Sequence, residues 1–137
     1  MSGCAAPGPD TGVFPVLLSD GTKAFFKRAA TGVTGGHNRT ALSLDGNRCH
    51  GPDSSVDHVF ESDHAFPVFY SLADHRIELY VTMAISQPTK ARWPIAVTIH
   101  TLTPVEAIEL QASYRERNLS IADIRLEPDK CRFGFKW

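Results

Sequence analysis

The residues of this chain best suited to chemistry are its six histidines. Three of them follow an aspartate directly: Asp57-His58, Asp63-His64 and Asp74-His75. A carboxylate and an imidazole are the raw material of general acid–base catalysis. Neighbours on an extended strand point to opposite faces, however, so no such dipeptide is itself a hydrogen-bonded pair. Asp and His are both common in turns, where solvated side chains are the simplest expectation. Cys49, His50, His58 and His64 are ligand types that zinc accepts. Their spacing matches no finger or ribbon, and no His-Glu-x-x-His pair is present. No metal and no other cofactor is therefore expected.

Nucleophilic catalysis has no clearer footing. A Gly-x-Ser-x-Gly elbow is absent. Gly32, Gly35 and Gly36 do not open a helix, so they lack the usual reason to cradle phosphate. Cys131 alternates with aromatic residues and reads as a small core side chain. The terminal Arg132-Phe133-Gly134-Phe135-Lys136-Trp137 carries aromatics at strand spacing but lacks the glycine that follows the basic residue in RNA-stacking strands. Core packing is its simpler use. One histidine stands apart: His100, near the end of a β-branched segment. Its value depends on the elements around it.

Those elements are mostly short strands. Segments 13–18 and 22–28 flank a Ser19-Asp20-Gly21 turn and read as a hairpin. Residues 29–38 read as a glycine-bearing flexible loop, 40–44 as a strand and 45–47 as a turn into a partner at 48–50. Further strands are expected at 56–61 and 66–72. Segment 76–86 is the strongest, with Ile77, Leu79, Val81, Met83 and Ile85 alternating with Glu78, Tyr80, Thr82 and Ala84. Segment 95–102 follows a proline-bearing loop. Segments 121–127 and 130–137 suggest a C-terminal hairpin. The one helix is announced at 104–117: Thr103 can cap it, Pro104 suits its first position, and Glu106 can close a capping box. Asn118 can end it in the left-handed conformation. The sum is an α+β fold, a mainly antiparallel, curved sheet with one principal helix. A closed up-and-down barrel with a late helix is the other architecture this order allows.

If 76–86 and 95–102 form a hairpin, their apolar faces must coincide, because a one-residue slip would turn one of them outward. His100 then shares a mixed face with Tyr80 and Thr82. A base, a phenol and a hydroxyl held on rigid strands make a candidate small-molecule site in a cleft under the helix. The helix carries two apolar stripes. Val105, Ile108, Ala112 and Leu119 form one; Ala107, Leu110 and Tyr114 form the other. One stripe can meet the sheet, and the second, Ala107–Leu110–Tyr114, is a candidate interface with a second copy.

Composition sets the frame. A chain of 137 residues, 42% hydrophobic and 21% charged, has the makings of one globular domain. Residues 1–12 read as a disordered tail and 13–137 as the domain. A net charge of -1 argues against nucleic acid as a partner, and no apolar run suits a membrane. The opening residues lack the pattern of a secretory signal, and an odd count of three cysteines suggests free thiols. Both point to the cytoplasm. With no catalytic motif, the expected function is non-enzymatic: a binding or interaction domain that forms a homodimer. A small-molecule pocket at Tyr80, Thr82 and His100, with or without catalysis, is the alternative.

Overall fold

The computed structural model describes residues 10–31, 37–61, 67–90, 92–128 and 131. β1 (Asp10–Leu17) and β2 (Lys23–Thr31) form the expected hairpin, and β3 (His37–Ser43) pairs antiparallel with β2. Both β2 and β3 run into the region read as a loop, shortening it. The glycines at 32, 35 and 36 lie outside the described residues. β4 (His58–Glu61) adds to β3, and β7 (Met83–Ser86) closes a five-stranded sheet in the order β1-β2-β3-β4-β7. β5 (Val68–Ala73), β6 (Arg76–Val81), β8 (Ala96–Thr101) and β9 (Ser120–Ala122) make a second sheet in the order β8-β6-β5-β9. Between β8 and β9 runs α1 (Pro104–Ser113). The fold is α+β, mainly antiparallel, with a single helix among the described residues.

Two sheets replace the one curved sheet expected. Phe26, Leu42 and Phe60 from the first pack with Val68, Tyr70, Ile77 and Leu79 from the second. Rings of Phe14, Phe26, Phe60 and Tyr70 meet edge-on or tilted, with centroids 5.3–6.5 Å apart, the arrangement aromatic quadrupoles favour.

Segment 76–86 is two strands rather than one. Thr82 breaks it: its backbone N donates to Glu61 O at 3.2 Å and its Oγ1 donates to the same oxygen at 3.0 Å. The chain thereby leaves one sheet and joins the other. Ile77, Leu79 and Val81 are fully buried, whereas Met83 and Ile85 are about half exposed. The expected hairpin with 95–102 is also corrected. β8 pairs with β6 in parallel, Tyr80 opposite His100 and Leu79 opposite Ile99. The detour through β7 returns the chain to the starting end of β6, where Ala96 N donates to His75 O at 2.8 Å. A crossover of that kind makes neighbours parallel.

The N-terminal boundary falls earlier than the sequence suggests. Thr11 is buried and exchanges two backbone hydrogen bonds with Glu127 (3.1 and 2.8 Å). A Cβ on Gly12 would stand 2.5 Å from Arg125 O, so only glycine lets these backbones approach. Asp10, Thr11 and Gly12 therefore belong to the domain, while residues 1–9 of the expected tail lie outside the described residues. So does the second arm of the expected C-terminal hairpin, apart from Cys131.

The cysteines are not all free thiols. Cys49 and Cys131 form a disulfide, with Cα atoms 5.2 Å apart across a separation of 82 residues. The region expected to pair with the 45–47 turn is occupied instead by turn residues 48–49 and this bond.

The capping box closes as its sequence implies: Glu106 N donates to Thr103 Oγ1 at 3.2 Å, and Thr103 N donates to Glu106 Oε1 at 3.0 Å. The helix stops at Ser113, short of 117, and Asn118 takes the left-handed conformation (φ 58°). The stripe assigned to an interface turns inward. Ala107 and Leu110 are buried within this chain, and the Tyr114 ring lies 5.1 Å from that of Phe69. Val105 and Ile108, from the other stripe, are 64% and 61% exposed. The two stripes were interchangeable by hydropathy; the Phe69 ring on the outer face of the second sheet offers the partner that orients the helix.

Candidate functional site

Inward side chains of β6 and β8 fill the core, so their alternates, Glu78, Tyr80, Thr98 and His100, line the outer face of the second sheet. Helix α1 lies over part of that face. A cleft of about 470 Å³ remains between them, lined by Tyr80, His100 and Thr101 from the sheet and by Glu106, Glu109 and Arg117 from the helix and its exit. Two of its lining rings stack on each other: the Tyr80 and His100 centroids are 4.7 Å apart and the planes 14° from parallel. His100 Nε2 lies 3.4 Å from Glu78 Oε1. Burial and the Glu78 carboxylate push the Tyr80 phenol above its ordinary pKa, partly offset by Arg117, so the hydroxyl keeps its proton at neutral pH.

Of the three residues expected together, Tyr80 and His100 are neighbours and Thr82 is not among the cleft's lining residues. The hydroxyl of Thr82 is committed to Glu61 at the strand break. Tyr80 and His100 share a face in a parallel pair for the same reason they would in an antiparallel one: the period of two is blind to strand direction. Glu109 and Arg117 had no signal in the sequence beyond exposed helical charge.

A second group surrounds Lys27, whose side chain is only 3% exposed. Its Nζ lies 3.8 Å from Asp45 Oδ2, and Asp45 also meets His50 Nδ1 at 2.6 Å. Lys27, Asp45, His50 and Asp57 line a hollow of about 330 Å³. Burial lowers the Lys27 pKa against the pull of Asp45 and Asp57. Burial also raises that of Asp57, although Asp53 N and Ser43 donate to it. Each ionised group here has an opposite charge near it, as a buried charge requires.

The Asp-His dipeptides divide. Asp74 and His75 are turn residues, accepting from Ser19 Oγ and meeting Asp20 respectively. Asp57 is buried and His58 half-buried: Asp57 lines the Lys27 hollow and His58 packs against Trp93, with ring centroids 4.6 Å apart. Asp63 and His64 lie outside the described residues.

Burial pushes the His58 pKa down to about 4. The unfolded chain takes up this proton near pH 6.5, the folded chain only near 4, so between those values the unfolded state binds more protons. Stability is expected to fall as the pH drops through that window. After allowance for partial exposure the loss due to His58 is about 1–2 kcal/mol. Chemical denaturation of wild type and His58→Gln at pH 7 and pH 4 measures it: the variant should lose less, and equal losses would refute the assignment.

No protein-family model, curated protein or solved structure matches the chain.

Proposed function

We propose that the protein is a non-enzymatic binding domain and that the cleft between the second sheet and α1 receives a small zwitterionic molecule with a flat body. The Tyr80–His100 stack in the cleft lining carries the reading. Two rings held on paired strands and stacked on each other give the cleft a pre-formed aromatic wall, without the ordering cost of a loop. At the rim, Glu109 suits an amine and Arg117 a carboxylate. Glu106 is already engaged in the capping box.

Titration with 4-aminobenzoate and free tryptophan, followed by NMR of the His100 and Tyr80 rings, tests the proposal. At least one probe should shift both rings saturably, and Arg117→Gln should weaken that probe about tenfold. Rings unmoved by either probe at 10 mM, a concentration on the order of the weakest useful affinities, would sink it.

Self-association is a second reading, favoured by the adjacent exposed side chains Val105 and Ile108 on α1. The protomers would meet through this outward stripe. Among the described residues no helix is long and apolar enough to cross a membrane. The Cys49–Cys131 bond supports an oxidising compartment in place of the cytoplasm that free thiols suggested.

A further inference from the structure

Lys27 stands on β2 directly after Phe26. Phe26 fills the core, so Lys27 belongs to the outer face of the first sheet. A lysine on an outer face ordinarily reaches water. This one is 3% exposed, because residues of the segment from Ser43 to Asp57 stand around it. That segment is tied down by its own polar groups. Asp45 Oδ1 accepts from Asn47 N at 2.8 Å, Ser43 Oγ accepts from Asp45 N at 3.0 Å, and Asp57 Oδ2 accepts from Asp53 N at 2.9 Å. The hollow of about 330 Å³ that it forms with Lys27 shares no lining residue with the cleft under α1.

A lysine buried for structure needs its ammonium hydrogen-bonded, and a charge-assisted bond is about 2.7–2.9 Å long. Lys27 Nζ has no such bond among the described residues: its nearest carboxylate oxygen there, Asp45 Oδ2, is 3.8 Å away. Nor is Nζ sealed. The enclosed side-chain atoms without a partner among the described residues are His58 Nδ1 and Ser86 Oγ. The tip of Lys27 therefore opens on the hollow, a nitrogen whose stem is held and whose end is free. Burial also disfavours its ammonium form, which raises the share of free amine.

We propose that Lys27 forms a reversible imine with a small uncharged aldehyde admitted to this hollow. A lysine amine is the nucleophile such chemistry uses. The nitrogen lone pair adds to the carbonyl carbon. The carbonyl oxygen takes up two of the three ammonium protons and leaves as water. The third proton stays on nitrogen, so ammonium and aldehyde become a cationic iminium and water, with charge unchanged and no oxidant or reductant consumed. Asp45 Oδ2 is the carboxylate oxygen nearest Nζ. It takes a proton from the ammonium and returns it to the hydroxyl that departs. His50 Nδ1, 2.6 Å from the same oxygen, holds that carboxylate in place. The lining selects the class of aldehyde. Asp45, Asp53 and Asp57 favour the iminium charge and repel an anionic carbonyl compound. The volume admits a small molecule only.

The test treats the full chain at neutral pH with acetaldehyde and cyanoborohydride, which reduces an iminium to a stable ethylated lysine. Mass spectrometry then maps the labelled sites over time. Lys23 and Lys90, both exposed, are the internal references. A positioned proton shuttle is worth about a hundredfold or more, so Lys27 should label at least about tenfold faster than either reference. That preference should vanish in urea that unfolds the chain, and with glyoxylate, an anionic aldehyde. Asp45→Asn should slow Lys27 about tenfold and leave Lys23 and Lys90 unchanged. Should Asp45→Asn not fold, the wild-type ratio of Lys27 to its references still decides. The proposal is overturned if folded wild type labels Lys27 no faster than Lys23 and Lys90, if glyoxylate shows the same preference, or if folded Asp45→Asn keeps the wild-type rate at Lys27.

Discussion

Leu110→Glu should cost most of the stability of this domain. Leu110 is 2% exposed, on the helix face that covers the second sheet. The substitution removes a buried aliphatic side chain and puts a carboxylate in its place. Each change alone typically costs about 2–5 kcal/mol, and the whole stability of a domain is about 5–15 kcal/mol. Urea denaturation should show a midpoint shifted far down, or no folded baseline. Ile108→Glu, 61% exposed on the same helix, is the matched control. Its stability should change by no more than about 0.5 kcal/mol. Sedimentation of this control reads a second quantity. If wild type is dimeric through the outward stripe, Ile108→Glu should be monomeric. A Leu110→Glu protein as stable as wild type would refute the inward placement of Ala107 and Leu110.

Loss of the Cys49–Cys131 bond should be the other large effect. It closes a loop of 82 residues, and in the chain-entropy picture a loop of that size is worth roughly 4 kcal/mol through the unfolded state. The bond also joins the segment beside the Lys27 hollow to the C-terminal region, next to the Arg48–Glu127 ion pair and 3.7 Å from Thr11 Oγ1 to Cys131 Sγ. Cys49→Ser combined with Cys131→Ala should lower stability by about 2–5 kcal/mol and the melting temperature by roughly 10 °C. Alanine suits position 131 because the native side chain is 2% exposed. Thiol titration supplies a separate check. Denatured, unreduced wild type should present one thiol, that of Cys4; three would mean that the bond does not form.

Much of the local structure was legible because local forces decide it. Thr103, Pro104 and Glu106 make their cap with groups at most three residues away, and the helix starts where they say. Asn118 ends the turn after it for an equally local reason, its tolerance of positive φ. The alternation at 77–81 was enough to place Tyr80 on the face away from the core, and the same period put His100 beside it. Those inferences need only the geometry of one strand and the requirement that apolar faces coincide.

The larger errors concern which surface meets which. Hydropathy alternates smoothly through Thr82, so nothing in it shows that the chain changes sheets there; the carbonyl of Glu61, 21 residues away, makes the break. Parallel pairing of β6 and β8 depends on that detour. Two apolar stripes on α1 have similar composition, and only the docking of Tyr114 on Phe69 tells inward from outward. Cysteine count and spacing cannot bring Cys49 to Cys131, because a contact across 82 residues is set by the closing of the sheets. Caps, turns and strand periodicity are short-range and can be read from neighbours along the chain. Sheet partnership, the disulfide and the clefts are products of long-range closure, whose energy depends on residues that are neighbours only in space.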